Sequence, residues 1–177
     1  EYGRLYKVIY GLDTYGMRYF NVFGRRQDPE GAYAAVIPRF IRQLMHGEVP
    51  TINGDGRQSR DFTYIDDIVK GIVEVMQRSP LSNEDGVRYK VYNIGNNQPE
   101  NLLDFVDILQ EELKAANVLP KDYDFEQHKE LVGMQPGDVE VTYADVKELE
   151  EDFGFKPSTS LQEGLRRFAQ WYREYYD

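Results

Sequence analysis

Residues 15–38 read YGMRYFNVFGRRQDPEGAYAAVIP, and this stretch decides the fold. An apolar run from Met17 to Phe23, rich in aromatic and β-branched residues, predicts a buried strand. The run breaks at Gly24 into a polar loop, and a helical pattern starts at Ala34. A strand, a polar loop and a helix in this order form the repeating unit of open α/β sheets. Ligands of such sheets bind outside the carboxyl ends of the strands.

Asn21 lies near the predicted carboxyl end of this strand. An amide there can donate to a phosphate oxygen and accept from a hydroxyl, and a sugar nucleotide offers both groups. The alternative is a strand-end turn that uses Asn because Asn tolerates unusual backbone angles. The backbone N–H groups around Ala35 and Val36 lie at a predicted helix start, where an anion or a base edge can be held.

The amino-acid composition excludes several classes of function. The chain has 177 residues, within the roughly 100–200 residues usual for one domain. A net charge of −10 argues against nucleic acid as a partner, because phosphate binding needs a dense basic face. The absence of cysteine excludes disulfides and thiolate metal sites and fits a reducing cytoplasm. His46 and His128 lack metal-ligand spacing, so no metal site is predicted. No apolar run approaches the ~18 residues of a membrane helix.

Several further elements follow from local patterns. One helical face near the start of the chain is formed by Leu5, Val8, Ile9 and Leu12, and the helix is predicted to end near Gly11. The sequence Asn-Gly-Asp-Gly at 53–56 is typical of a tight hairpin turn, here between the strands 51–52 and 59–64. Asp66 is predicted to cap the next helix, whose buried face is Ile68, Val69, Ile72, Val73 and Met76. A later amphipathic helix has the apolar face Leu102, Phe105, Val106, Leu109 and Leu113.

Arg60 and Asp138 are candidate binding residues. Arg60 lies in the strand after the predicted hairpin, where a guanidinium can hold a diphosphate bidentately. The alternative is a pair between Arg60 and Asp61 or another nearby acid. Asp138 ends the rigid loop Gln-Pro-Gly-Asp at 135–138 and can accept both hydroxyls of a ribose. The alternative there is a solvated or helix-capping carboxylate.

Tyr143 and Lys147 match the Tyr-x-x-x-Lys spacing of short-chain dehydrogenases. They stand at the start of a late acidic helix, and no phosphate-binding glycine loop precedes them. Gly54 and Gly56 likewise lack the third glycine of a dinucleotide fingerprint. Neither pattern is therefore interpreted as a site.

The chain as a whole resembles the carboxyl-terminal half of an extended short-chain dehydrogenase. The motifs that carry the resemblance, in order, are RYFNVFGRRQDP (18–29), AYAAVIP (32–38), INGDGRQSRDFTYIDDIVKGI (52–72), YNIGNNQP (92–99) and MQPGDVEVTYAD (134–145). The resemblance implies an α/β fold with a mixed small sheet and helices, from which the amino-terminal dinucleotide-binding part of a Rossmann type is missing. We therefore expect the chain to be a fragment.

The resemblance is strongest to nucleotide-sugar 4-epimerases. The front half is similar to UDP-N-acetylhexosamine 4-epimerases. The back half, with Gln135 before Pro-Gly-Asp and with Trp171-Tyr172, is similar to UDP-glucuronate 4-epimerases. Hexosamine enzymes usually carry Arg at the place of Gln135, and this difference weakens a hexosamine assignment. A nucleotide-sugar 4,6-dehydratase, a UDP-glucuronate decarboxylase and a non-catalytic nucleotide-sugar-binding module remain alternatives.

The resemblance also implies residue roles. Asn21 would contact the diphosphate or the sugar, and Arg60 would clamp the diphosphate. Asp138 would hold the uridine ribose. The full expected substrate-binding set is Asn21, Ala35, Val36, Asn53, Arg60, Gln135 and Asp138, in which the Ala35–Val36 backbone lines the uracil site. Tyr19, Phe20 and Asn21 would pass beside the nicotinamide of NAD. The catalytic Tyr-x-x-x-Lys of the family would lie upstream of Glu1, so this chain is expected to be inactive alone.

The implied organisation has two parts. Residues 1–24 would be a remnant of the dinucleotide-binding domain, comprising the end of the catalytic helix and one sheet strand. Residues 25–177 would form the substrate-binding domain, with Tyr89–Gly95 a candidate to return to the main sheet. The expected partners are a UDP-sugar and, in the parent protein, a second copy, because members of the family commonly dimerise through helices of the dinucleotide-binding domain.

Overall fold

The computed structural model describes residues 1–27, 40, 43, 48–49, 51–53, 56–79, 82, 86–133 and 139–176. The helices are α1 (Tyr2–Tyr10), α2 (Ile65–Met76), α3 (Leu102–Ala115), α4 (Lys147–Phe153) and α5 (Leu161–Tyr176), with a short 3₁₀ helix at Phe125–His128. The strands are β1 (Thr14–Tyr19), β2 (Val22–Phe23), β3 (Thr51–Asn53), β4 (Ser59–Asp61), β5 (Thr63–Tyr64), β6 (Tyr89–Ile94), β7 (Pro99–Asn101) and β8 (Glu130–Val132).

The strands pair across long sequence distances. β1 runs parallel to β6, with Thr14 opposite Tyr89 and Tyr19 opposite Ile94. β2 is parallel to β5 and β3 is parallel to β8, whereas β4 and β7 are antiparallel. This mixture of small sheets with helices confirms the predicted α/β class.

The strand predicted from Met17 to Phe23 is two strands. β1 begins earlier, at Thr14, and ends at Tyr19, and β2 resumes at Val22. Asn21 between them has φ of +32°, which lies outside the extended region. The prediction of one continuous strand is therefore wrong, because apolar composition alone does not reveal a turn placed at Asn21.

The hairpin predicted at 53–56 is also wrong. Gly56 does have the positive φ of a turn, at +76°. The strands on either side, however, pair with β8 and β7 and not with each other. A turn signal specifies a local bend, whereas the pairing partner of each strand is set by distant residues.

The helix α2 is rotated relative to its predicted face. Its amino-terminal cap is Tyr64, and Asp66 lies in the first turn instead of capping the helix. The Asp67 side chain faces inward, where its Oδ2 accepts from the backbone N–H groups of Ser158 and Thr159 at 3.0 and 2.8 Å. As a result Ile68 is buried, while three residues of the predicted face are exposed: Val69, Val73 and Met76.

Two apolar clusters support the strands. The larger cluster joins α3 and α5 to β2 and β5, and all five predicted core residues of α3 are buried, which confirms that face. Gly164 lets α5 approach the sheet closely, since a Cβ there would lie 2.6 Å from Cζ of Phe23. The smaller cluster packs α2 and α4 against β6 through Ile68, Ile94 and Leu149.

The helix α1 packs weakly against the rest of the structure. It ends at Gly11 in the left-handed conformation, as its sequence predicts, but none of its residues is buried. Exposed apolar residues lie on and just beyond it: Leu5, Val8, Ile9 and Leu12. Within the described part of the chain, β1 pairs on one edge only. None of the helices described here combines the length and the apolar character needed to cross a membrane.

Asp61 at the end of β4 ties these pieces together. Its side chain is 0% exposed. Oδ1 accepts from the N–H of Asn96 at 3.0 Å, and Oδ2 accepts from the N–H groups of Asn97 and Ala144 at 3.0 and 2.8 Å. One carboxylate therefore joins β4 to the loop after β6 and to the segment that precedes α4.

We predict that Asp61→Asn lowers the free energy of unfolding by about 2–3 kcal/mol, because an amide NH₂ would face backbone N–H donors and leave them unpaired. Urea unfolding followed by circular dichroism measures the change. Asp122→Asn, the same substitution at an exposed position, is the matched control. An equal and small effect of the two substitutions would contradict the role assigned to Asp61.

Candidate functional site

The carboxyl ends of β1 and β6 lie side by side because these strands are parallel and in register. Four chain segments meet at this edge. A Cβ at Gly95 would lie 2.4 Å from the Cβ of Ala144, 2.7 Å from Oδ2 of Asp61 and 3.3 Å from the Cβ of Phe20. The close approach therefore requires glycine at 95, and it forms the kind of strand-end crossing at which α/β sheets bind ligands.

Asn21 lies at this crossing, two residues after the end of β1. Its amide Nδ2 donates to the backbone oxygen of Asp61 at 3.1 Å and to Oγ1 of Thr142 at 3.2 Å. Its own backbone oxygen accepts from the N–H of Thr63 at 3.2 Å. Asn21 thus occupies an unusual backbone conformation, as the turn interpretation predicts, and is also held by its side chain.

Arg60 reaches the Thr142 segment from β4. Its Nη1 donates to the backbone oxygen of its neighbour Ser59 at 2.9 Å and to that of Glu140 at 3.2 Å. Ser59 is itself bridged to this segment, since its N–H donates to the Glu140 oxygen at 2.9 Å and its oxygen accepts from the N–H of Thr142 at 3.1 Å. Asn21 and Arg60 therefore both contact residues 139–144, which we call the bridging segment.

Four predicted site residues, Ala35, Val36, Gln135 and Asp138, lie outside the described residues. Asn53 is the last residue of β3. This strand pairs with β8 and not with the strands on either side of Asn21. Tyr19, at the end of β1, is 53% exposed, and Phe20 is half-buried. The structure therefore brings Asn21 and Arg60 to one segment, and it leaves the Tyr19 side chain exposed at the end of β1.

The electrostatics of the crossing are dominated by Asp61. Burial raises the pKa of its carboxyl, while the backbone N–H donors from Ala144, Asn97 and Asn96 act in the opposite direction by stabilising the charged form. A buried carboxylate with this many backbone donors fixes the positions of the donors. It is therefore a structural anchor beneath the site, and its oxygens are occupied by the protein.

Three residues important at the crossing were not predicted from the sequence: Asp61, Gly95 and Thr142. The sequence suggests Asp61 only as a partner for Arg60. One signal was available, since Asp is disfavoured in strands and Asp61 stands in the middle of a strand-like run. Thr142 carries no comparable signal, because its role depends on a contact with Asn21, 121 residues away.

The Tyr143–Lys147 pair is not on one helical face. α4 begins only at Lys147, and Tyr143 lies before it, outside any helix or strand and 60% exposed. The Lys147 ammonium lies 3.7 Å from Glu151, one turn further along the helix. The pair therefore lacks the shared helical face on which the Tyr-x-x-x-Lys motif depends.

Comparison with known proteins identifies the family. A family model described as "NAD dependent epimerase/dehydratase family" matches residues 1–95. UDP-glucuronate 4-epimerase 1 of Arabidopsis thaliana is 36% identical over 99% of this chain, which spans 40% of that protein. The chain spans about half or less of the length of the curated relatives it matches.

Solved structures agree with this assignment. A UDP-N-acetylglucosamine 4-epimerase from Methanobrevibacter ruminantium, in complex with UDP-N-acetylmuramic acid, has a TM-score of 0.78 and 33% identity, with 98% of this chain and 50% of that chain covered. A dTDP-glucose 4,6-dehydratase, DesIV from Streptomyces venezuelae, with NAD bound, has a TM-score of 0.77 and 27% identity, with 98% and 48% covered. The fold thus matches about half of an epimerase or dehydratase, as the sequence predicts, and the chain belongs to the NAD dependent epimerase/dehydratase family.

Proposed function

We propose that the chain is the substrate-binding portion of an NAD-dependent UDP-sugar 4-epimerase of the UDP-glucuronate or UDP-N-acetylhexosamine type. The observation that carries the proposal is the convergence of Asn21 and Arg60 on the bridging segment, beside the carboxyl ends of β1 and β6. Family membership and the two kinds of 4-epimerase among its relatives support the reaction type.

In this proposal Arg60 binds the diphosphate. A guanidinium offers five N–H donors in a planar fork, and this fork matches the geometry of phosphate oxygens. The bridging segment follows directly after Asp138, which is proposed to hold the ribose, and Gln135 belongs to the same loop. Ala35, Val36 and Asn53 complete the proposed nucleotide contacts.

The proposed cofactor is NAD, which supplies hydride exchange at C4 of the sugar. Tyr19 and Phe20 fit a position beside the nicotinamide, because they lie at the end of a parallel strand and the Tyr19 ring is open on one side. The proposed contribution of this chain is to bind and orient the sugar nucleotide. The division at residue 24 into a dinucleotide-binding remnant and a substrate domain belongs to the same proposal, and the cytoplasmic location expected from the sequence stays a prediction.

A 4,6-dehydratase or a UDP-glucuronate decarboxylase is the alternative within the family. The similarity to DesIV supports this alternative, since the nucleotide-binding fold is shared by both reaction types. A non-catalytic nucleotide-sugar-binding module is the alternative outside enzymes.

We predict that the chain binds UDP and discriminates against dTDP in a calorimetric titration, because its nucleotide contacts are proposed to be those of a UDP-sugar enzyme. Arg60→Ala should weaken UDP binding by about tenfold or more, through loss of a charge-assisted contact. Arg88→Ala is the matched control, since Arg88 pairs with Asp13 at 3.5 Å, at the opposite end of β1. Binding of neither nucleotide would contradict the proposed function, and an unchanged affinity in Arg60→Ala would remove Arg60 from the site.

We predict that the chain takes part in catalysis when it is fused to the carboxyl terminus of a dinucleotide-binding half from a member of the family. With UDP-glucuronate or UDP-N-acetylglucosamine and NAD, the fusion should interconvert the two C4 epimers, which nuclear magnetic resonance of the sugar product detects. Release of carbon dioxide or formation of a 4-keto-6-deoxy sugar would favour the decarboxylase or the dehydratase. A fusion that binds NAD and the UDP-sugar without turnover would favour the binding module.

We propose further that the exposed face of α1 mediates association between copies of this chain. Its apolar side chains, including Val8 at 60% and Ile9 at 63% exposure, would leave water on contact. We predict concentration-dependent dimers in sedimentation at tens of micromolar, and monomers for the double substitution Val8→Glu, Ile9→Glu. Because neither side chain is buried, the substitutions should preserve the fold, and a monomeric unmodified chain would contradict the proposal.

A further inference from the structure

A cavity of about 250 Å³ lies where the start of α2 meets α5, and the described residues that line it are all outside the proposed UDP-sugar site. At ~30 Å³ for each water molecule, the cavity holds roughly eight of them, which is enough room for a single small ring. Its walls combine charged side chains and an amide with Trp171, the single tryptophan of the chain. The similarity to UDP-glucuronate 4-epimerases also includes Trp171, which has no part in the proposed function.

The charged side chains of this cavity balance one another. Arg25 donates from Nη2 to Oδ1 of Asp66 at 2.9 Å, and Nη1 of Arg167 lies 3.8 Å from the other oxygen of the same carboxylate. Glu174 is the second lining carboxylate, so two carboxylates face two guanidinium groups. An anion would meet both carboxylates and a cation would meet both guanidinium groups, and like charges in contact are costly. The walls therefore favour a ligand without net charge.

The cavity also borders a buried hydroxyl that lacks a partner. Tyr64 is 1% exposed, and its hydroxyl oxygen forms no hydrogen bond in the part of the chain that the structure describes. The nearby Arg25 guanidinium completes none, and it could only donate, so the hydroxyl proton would still need an acceptor. Burial raises the pKa of this hydroxyl, which therefore keeps its proton. An oxygen atom of a ligand in the cavity would be the acceptor that the hydroxyl lacks.

We propose that this cavity binds a neutral polyhydroxyl molecule the size of one sugar ring. A sugar hydroxyl can accept from a guanidinium or from the Gln170 amide while it donates to a carboxylate, so it satisfies both kinds of wall. The indole of Trp171 adds an apolar surface for the C–H groups of the ring. The proposal is independent of the proposed function, because the two sites share no lining residue.

Fluorescence can report binding at this cavity, because Trp171 is the single tryptophan. The probes are the methyl glycosides of glucose, galactose and N-acetylglucosamine. We expect at least one of them to change the Trp171 emission saturably, with a dissociation constant of about 1–10 mM, since a few new hydrogen bonds replace bonds to water. No saturable change with any glycoside would overturn the proposal. A response to inorganic phosphate or glycine in place of the glycosides would also overturn it.

Tyr64→Phe removes only the unpartnered hydroxyl. We expect the glycoside affinity to fall about fivefold, the size of one hydrogen bond, and the midpoint of thermal unfolding to stay unchanged, because the hydroxyl has no partner among the described residues. Tyr175→Phe is the matched control, since the Tyr175 ring stacks on Trp171 with centroids 5.3 Å apart but does not line the cavity. This control should leave the affinity unchanged.

Gln170→Ala is a second variant, at an exposed helical position where alanine preserves the helix. It should also lower the glycoside affinity about fivefold. An unchanged affinity in both Tyr64→Phe and Gln170→Ala would overturn the proposal, as would an equal loss in Tyr175→Phe. Calorimetry with UDP tests the proposed function separately, so either proposal can fail while the other stands.

Discussion

The buried carboxylate of Asp61 is the interaction on which the candidate site depends. An ionised group without solvent is stable only if hydrogen bonds replace its hydration, and here three backbone N–H groups do so. Those donors come from two segments that also bond to β4 through the backbone, since β7 pairs with β4 and Ser59 bonds to Glu140 and Thr142. The need to satisfy one buried charge thus reinforces the positions of the loop after β6 and of the bridging segment.

The arrangement of the short strands β4 and β5 depends on the Asp61 carboxylate. β4 and β5 together span only residues 59–64, too short to specify a sheet by pairing alone. Asp61 holds the bridging segment through Ala144, Ser59 holds it through backbone bonds, and Arg60 adds a side-chain bond to Glu140. Consecutive residues of one strand therefore fasten the segment with three different chemical groups. Asn21, between β1 and β2, then hydrogen-bonds to the Asp61 backbone and to Thr142.

The sequence predictions are correct where the interaction is local along the chain and wrong where it joins residues far apart in the sequence. The apolar face of α3 is correct because it depends on helical spacing alone, and Gly11 ends α1 for an equally local reason. The face of α2 is wrong because Asp67 turns inward to meet Ser158 and Thr159, about ninety residues away. Residue type made Asn21 and Arg60 candidates, since amide and guanidinium groups suit a sugar nucleotide. Their contacts with Thr142 and Glu140 could not be predicted, because no local sequence pattern indicates which distant residue a side chain will contact.

The distances along the chain between Asp61 and its donors also affect how the protein is made. The donors lie 35, 36 and 83 residues further along. At a synthesis rate of about 5–20 residues per second, Asp61 waits roughly 4–17 seconds on the ribosome before Ala144 is added. During that time the carboxylate must stay hydrated, so β4 and β5 cannot take their final burial. The strand-end crossing therefore closes late, after α2, β6 and α3 have been synthesised, and the candidate site is among the last parts of the molecule to form.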